Sequence, residues 1–231
     1  MALPGEYDTN RIYGRRKGHR LSPRKLRLID ELLPKLRLDL NEAPPRPLQS
    51  LFAVPVKQVW FEVGFGGGEH LAWQAETNPD RGFIGCEPYV NGVAKLLTEI
   101  EERALHNIRI WDGDAREVLD WLEDASLDRV FVLFPDPWPK TRHHKRRFIS
   151  SDTLGRLARV MKPGAELRIA SDIGDYVRSS LEALSASDGF EWTAECSADW
   201  LTRPDDWPQT RYEKKALGVG RTGYYLIFRR I

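Results

Sequence analysis

From Val56 onward the chain alternates between short, dense apolar runs and longer stretches in which apolar residues recur every third or fourth position. The runs at 59–63, 83–86, 108–111, 130–134, 167–170, 190–195 and 224–228 are rich in β-branched and aromatic side chains and read as strands. Residues 91–104 place Val93, Leu96, Leu97 and Ile100 on one stripe, the pattern of an amphipathic helix. Further helices are expected at 116–122 and 173–184. Strand and helix in alternation predict an α/β fold. Its sheet is mostly parallel, with helices on both faces and ligands beyond the carboxyl ends of the strands. No clear helix separates the last two runs, so an antiparallel pair is expected at one edge.

The first 50 residues follow a different pattern. Between Thr9 and Ile29 stand Arg11, Arg15, Arg16, Lys17, Arg20, Arg24, Lys25 and Arg27 with no acid, followed by Pro34, Pro44, Pro45 and Pro47. The expected organisation is a basic N-terminal arm and connector over 1–50, with a helix near 23–33, and a domain over 51–231. Two readings of the arm are open: it contacts a polyanion, or it is only a solvated tail. The 231 residues suit one core. No run reaches the ~18 apolar residues of a membrane helix, and the first residues lack a signal-peptide pattern, so a cytoplasmic protein is expected. Cys86 and Cys196 are too few and too far apart for a metal or disulfide framework. The 35 Lys and Arg against 34 Asp and Glu leave a net charge of +1, which by itself argues against a nucleic-acid partner.

Candidate chemistry begins after the first strand, in Glu62-Val63-Gly64-Phe65-Gly66-Gly67-Gly68-Glu69. Glycines at 64, 66 and 68 permit positive φ and close backbone approach to a ligand at a helix mouth. A dinucleotide would bring its pyrophosphate against Glu62, whereas S-adenosylmethionine brings an ammonium and a sulfonium that a carboxylate can balance. Glu62 therefore favours the sulfonium cofactor over hydride-transfer chemistry. Glu87 closes the second strand about where an acid accepts hydrogen bonds from a ribose. Asp114, followed by Ala115, either reaches an adenine amino group or caps the helix at 116–122.

After the fourth strand comes Phe134-Pro135-Asp136-Pro137-Trp138-Pro139-Lys140, then Thr141-Arg142-His143-His144-Lys145-Arg146-Arg147. The prolines restrict the backbone and hold Asp136, Trp138 and Lys140 in fixed directions beside a cationic patch. Adjacent His143 and His144 without a supporting acid or cysteine make a poor metal site, and no metal is expected. Together EVGFGGG, GCEPY, GDA, the PDPWPKTRHHKRR run and Thr210-Arg211-Tyr212-Glu213 resemble the bacterial tRNA (guanine-N7-)-methyltransferase family, over about residues 50–231.

The resemblance implies a class I methyltransferase fold: a Rossmann-like, mostly parallel seven-stranded sheet with an antiparallel edge strand. It implies S-adenosylmethionine as cofactor and tRNA as partner, in a monomer or homodimer. By the same resemblance Glu62, Gly64, Gly66, Glu87, Asp114, Ala115 and Asp136 line the cofactor, and Asp136 is the active-site residue. Lys140, Asp172, Thr210, Arg211, Tyr212 and Glu213 meet the substrate, and Arg142, His143, His144, Lys145, Arg146 and Arg147 contact RNA. Read locally, Asp172 is equally an N-cap for the helix at 173–184, and Glu213 a surface helix charge. Two competitors remain: a cofactor-free RNA-binding protein, against which Glu62, the glycine loop and Glu87 argue, and an amino-group methyltransferase, whose Asn/Asp-Pro-Pro-aromatic motif is only partly imitated here. The near-neutral total thus divides into acids at strand ends and cations in the arm and in 142–147.

Overall fold

The computed structural model describes Gly14, residues 16–218 and residues 220–231, without the side chains of Tyr212, Ala216 and Leu217. Arg11 and Arg15 of the basic arm lie outside the described residues.

In chain order the elements are α1 (Pro23–Glu31), α2 (Leu33–Leu36), β1 (Gln58–Val63), α3 (Glu69–Thr77), β2 (Arg81–Cys86), α4 (Val90–Arg103), β3 (Ile108–Trp111) and α5 (Ala115–Trp121). There follow β4 (Leu127–Leu133), α6 (Ser151–Val160), β5 (Met161–Ser171), α7 (Gly174–Ser185), β6 (Phe190–Trp192), α8 (Ala198–Leu201), α9 (Arg211–Gly218) and β7 (Tyr224–Arg230). The sheet order is β3-β2-β1-β4-β5-β7-β6. The first five strands are parallel, and β7 enters antiparallel between β5 and β6, so an antiparallel β6/β7 pair closes that edge. β6 stops three residues earlier than the apolar run predicts, because Glu195 and Cys196 give their amides to the Asp199 carboxylate instead of to the sheet.

Alternation along β1 sorts its side chains. Val59, Phe61 and Val63 join the apolar layer with Val118, Leu157 and Tyr176, while Trp60 joins Leu71, Leu96 and Leu97 on the other face. Glu62 shares the parity of Trp60 and so points to the α3 side. The order reverses direction between β1 and β4, which opens a crevice at their carboxyl ends.

The arm is not detached where it is described. Ser22 caps α1 with Pro23 behind it, and α1 ends before Pro34, which lacks the N–H to continue the helix and instead sits in the first turn of α2. Leu28, Leu33 and Leu36 are buried in the α3/α4 layer, each side chain stabilising the contact by about 1.5–3 kcal/mol. Arg24 and Arg27 are paired with Glu101 and Glu102 of α4. Upstream, the Val90 amide donates to the Arg16 carbonyl, and the Asn91 side chain accepts from the Gly18 amide and donates to the His19 carbonyl. Among the described residues no helix is long and apolar enough to cross a membrane.

Candidate active site

A cavity of about 470 Å³ lies at the carboxyl ends of β1, β2 and β4. Its walls are Glu62 to Gly66 after β1, Glu87 to Tyr89 after β2, Leu133 to Asp136 after β4, with Glu69, His70, Thr210 and Gly14 completing them. Among the described lining residues the charged side chains are all carboxylates: Glu62, Glu69, Glu87 and Asp136.

The glycine loop earns its composition at two places. Gly64 and Gly66 sit at φ +66° and +58°, and the Gly66 amide donates to Glu87 Oε2 at 2.7 Å. Gly92, in the first turn of α4, lets that helix approach so closely that a Cβ there would fall 2.1 Å from the Gly66 carbonyl oxygen.

Glu62 is 2% exposed, and its Oε2 lies 2.7 Å from Nδ1 of His70, also 2% exposed. Glu87 accepts from the amides of Gly66 and Tyr89. Burial pushes its carboxyl up to about 7, against the pull of those two amides, and the charges of Asp136 and Glu62 add to the rise. Asp136 is exposed on its loop and lines the cavity. Phe134 and Trp138, on either side of it, adopt φ +47° and +44°, a left-handed backbone unusual for aromatic residues.

Not every sequence-derived site residue reaches this cavity. Asp114 forms a capping box with Glu117 at the start of α5, both of its oxygens also engage Arg116, and neither Asp114 nor Ala115 lines the wall. Of the two readings left open, the structure displays the cap. Asp172 pairs with Arg221 at 2.9 Å; the residue at the N-cap of α7 is Ile173, with no side-chain cap bond. Thr210 is in the wall, and with Glu213 it forms a reciprocal cap on α9, each accepting the other's amide. Glu213 is no surface charge. It is 2% exposed, accepts from the Tyr225 hydroxyl at 2.5 Å and faces Arg203 at 3.3 Å, so its carboxylate is occupied inside the fold. Arg211 is exposed, 3.9 Å from Glu69, and the Tyr212 side chain lies outside the described residues.

The cationic run folds into a 3₁₀ turn, Thr141–Arg146. Lys140, Arg142 and Lys145 are exposed. The Arg146 guanidinium lies over the Trp138 ring at 4.9 Å, and His143 meets that ring edge-on at 5.9 Å. Desolvation, then the surrounding Arg146, Arg142, Lys140 and Lys145, hold His143 below the usual imidazole range. His144 stands 3.6 Å from Asp175. Arg147 departs from its expected place among the RNA contacts. It is 5% exposed and directed inward, donating to the Pro137 carbonyl at 3.0 Å, to Ser179 Oγ at 2.7 Å and to the Asp175 carboxylate. It fastens the proline loop to α7.

Sheet order, glycine loop and an acid-lined cavity at the switch point define a class I methyltransferase. A family profile described as "Putative methyltransferase" matches residues 56–226. The chain is 51% identical over 226 residues to the tRNA (guanine-N(7)-)-methyltransferase of Rhizobium meliloti, covering 98% of this chain and 97% of that one. It is 52% identical to the protein of the same name from a Ruegeria species, over 95% of this chain and 87% of that one. The chain belongs to the tRNA (guanine-N(7)-)-methyltransferase family. Among solved structures, the 16S rRNA methyltransferase KamB shares the fold with a TM-score of 0.59 at 18% identity, over 82% of this chain and 94% of that one.

Two features of the site were missed in the sequence. His70 and Gln74 fall on one face of α3 at i, i+4 spacing, a pattern too common to single out without Glu62 beside it. The arm's contribution of Gly14 to the wall has no local signal.

Proposed function

We propose that this enzyme transfers a methyl group from S-adenosylmethionine to N7 of the variable-loop guanosine (position 46) of tRNA, giving 7-methylguanosine, in the cytoplasm. One observation carries the reading: a cavity whose charged walls, among the described residues, are all acidic adjoins, through the loop bearing Asp136, a ridge of exposed cations at Lys140, Arg142 and Lys145. Acids suit a cationic cofactor and cations suit an RNA backbone. A cavity of about 470 Å³ is also within the range of cofactor sites.

When bound, S-adenosylmethionine supplies an electrophilic methyl group on a sulfonium. Glu62 balances the positive charge of the ligand, Glu87 accepts from ribose hydroxyls, and the Gly64 to Gly66 backbone admits the ligand closely. Guanine N7 has an in-plane lone pair and no proton, so the chain needs no general base. It must align the base and stabilise the positive charge that develops on the ring. Asp136 performs the second task, held by Pro135 and Pro137. Lys140, Asp172, Thr210 and Arg211 contact the nucleotide. The test is transfer of labelled methyl to unmodified tRNA followed by nucleoside analysis: label in 7-methylguanosine supports the reading, and label in another nucleoside overturns it.

Glu87 has its folded-state value raised from 4.5 to about 7, so it binds a proton more tightly folded than unfolded. Its contribution to stability is present below about 4.5 and is lost as pH rises through about 7. Cofactor affinity has the opposite sign, because the ionised form accepts from the ribose: it declines as pH falls below about 7. Glu87→Gln should flatten both trends, measured by thermal unfolding and calorimetry against pH. Separately, Arg142→Ala with Lys145→Ala should reduce the slope of log K for tRNA against log salt by roughly 0.7–0.9 per lost phosphate contact, with cofactor affinity unchanged. An unaltered slope places the RNA elsewhere.

A further inference from the structure

Beneath the cavity a chain of buried polar groups determines how Glu62 is presented. The Gln74 side-chain nitrogen lies 2.8 Å from the Asp206 carbonyl oxygen, which only accepts, so the amide must point its NH₂ there. The Asn78 amide donates to the other end, Gln74 Oε1, at 3.2 Å, in agreement with that orientation. The same NH₂ is 3.2 Å from His70 Nε2. A donor facing Nε2 requires a lone pair on that nitrogen, which puts the imidazole proton on Nδ1. Nδ1 is 2.7 Å from Glu62 Oε2 and therefore donates to it.

We propose that His70 is a positioning residue for the cofactor site, held by Gln74 and the Asp206 carbonyl as the neutral Nδ1–H tautomer so that it orients the Glu62 carboxylate without cancelling its charge. This rests on the proposed role of Glu62 toward a cationic cofactor. An imidazolium here would form an ion pair with Glu62, leaving the cavity less net negative charge for an ammonium or sulfonium. A hydrophobic residue would leave the carboxylate buried without its donor. The ring is clamped in place by Phe131, edge-on at 4.7 Å, and by Trp207 at 5.8 Å. Asp206 and Trp207 lead into Thr210, another wall of the cavity. His70 thus joins Glu62 to the 206–210 segment, which also lines the cavity at Thr210.

Long-range ¹H–¹⁵N spectra of the intact protein labelled at its five histidines read the tautomer directly, with His70 assigned through backbone connectivities. A neutral Nδ1–H ring at neutral pH is expected; an imidazolium or an Nε2–H ring overturns the proposal. Calorimetry with S-adenosylmethionine gives the second arm. His70→Leu should weaken binding roughly tenfold, the loss expected for a hydrogen bond to a charged group, while His70→Gln, which keeps an N–H donor, recovers most of it. Wild-type affinity in both variants, or equal weakening in both, contradicts the positioning role. Glu62→Gln separates the underlying reading: unchanged affinity there removes Glu62 from the cofactor, whatever the His70 tautomer.

Discussion

Asp136→Asn is expected to lower kcat for tRNA methylation by about a hundredfold, the scale seen when one preorganised electrostatic group is removed from a transition state. The substitution is nearly isosteric and removes only the charge. Asp136 is exposed, so the fold should not notice: the unfolding temperature should stay within a degree or two of wild type. The effect should fall on kcat more than on the KM for either substrate, because positive charge develops on guanine only as the methyl group moves. The pH profile should lose no limb, since no proton is removed from N7, but the limb set by Glu87 should move to lower pH because the Asp136 charge contributes to that group's rise. Near-normal turnover in the variant would sink this role. The backbone explains why a loop can perform it. Pro135 and Pro137 restrict the chain on both sides of Asp136, and the left-handed Phe134 and Trp138 fix its entry and exit.

The second large effect concerns Arg147. Arg147→Met, similar in length but without the guanidinium, strands the Pro137 carbonyl, Ser179 Oγ and the Asp175 carboxylate together. Arg147 itself is covered, but Asp175 is exposed and water can replace its bond, so the cost comes from the half-buried Pro137 carbonyl and Ser179 hydroxyl, about 1–2 kcal/mol, read as a lower denaturation midpoint. The Arg147 hydrogen bond is the main cause that holds the Asp175 carboxyl below its ordinary range, with His144 and Arg178 adding to it, so the variant should raise the Asp175 titration toward that range. The functional signature is a raised KM for tRNA, because the loop bearing Lys140 and Arg142 loses its fastening to α7. The salt dependence of binding should not change. A reduced salt slope in this variant would return Arg147 to the phosphate contacts.

Arg147 also illustrates the limit of what a sequence displays. As one of four basic residues in six, it looks like its neighbours. Its different fate depends on Asp175 and Ser179, about thirty residues away, and on a turn that directs one side chain inward while Arg142 and Lys145 point out. Glu213 is similar: its burial depends on Tyr225 and Arg203, which come to it through β7 and the 203–210 segment. His70 needs both Glu62 and the Asp206 carbonyl. These contacts join segments distant along the chain and leave no local pattern.

Features that rest on local physics were readable. The glycine loop and its two strand-end acids came from φ requirements and charge, and the sheet class from period and alternation. The antiparallel β6/β7 pair is found as expected, but the premise of no helix between them is not: the short α8 and α9 lie there, too brief and polar to show as a clear apolar stripe. The +1 net charge misled only as a total, since the acids line the cavity and the cations occupy the ridge. For Asp114 the local signal was ambiguous for a physical reason: a carboxylate just before a helix can cap it whether or not a ligand stands nearby, and here it caps α5.

The most direct test of the central claim uses tRNA transcripts that differ at one atom. With guanosine at position 46 of the variable loop, labelled methyl from S-adenosylmethionine should appear in 7-methylguanosine. With 7-deazaguanosine at that position, which has carbon in place of N7, tRNA binding should persist and transfer should vanish. Label retained on the 7-deaza transcript would contradict the account, because the acceptor would then be another atom or another base.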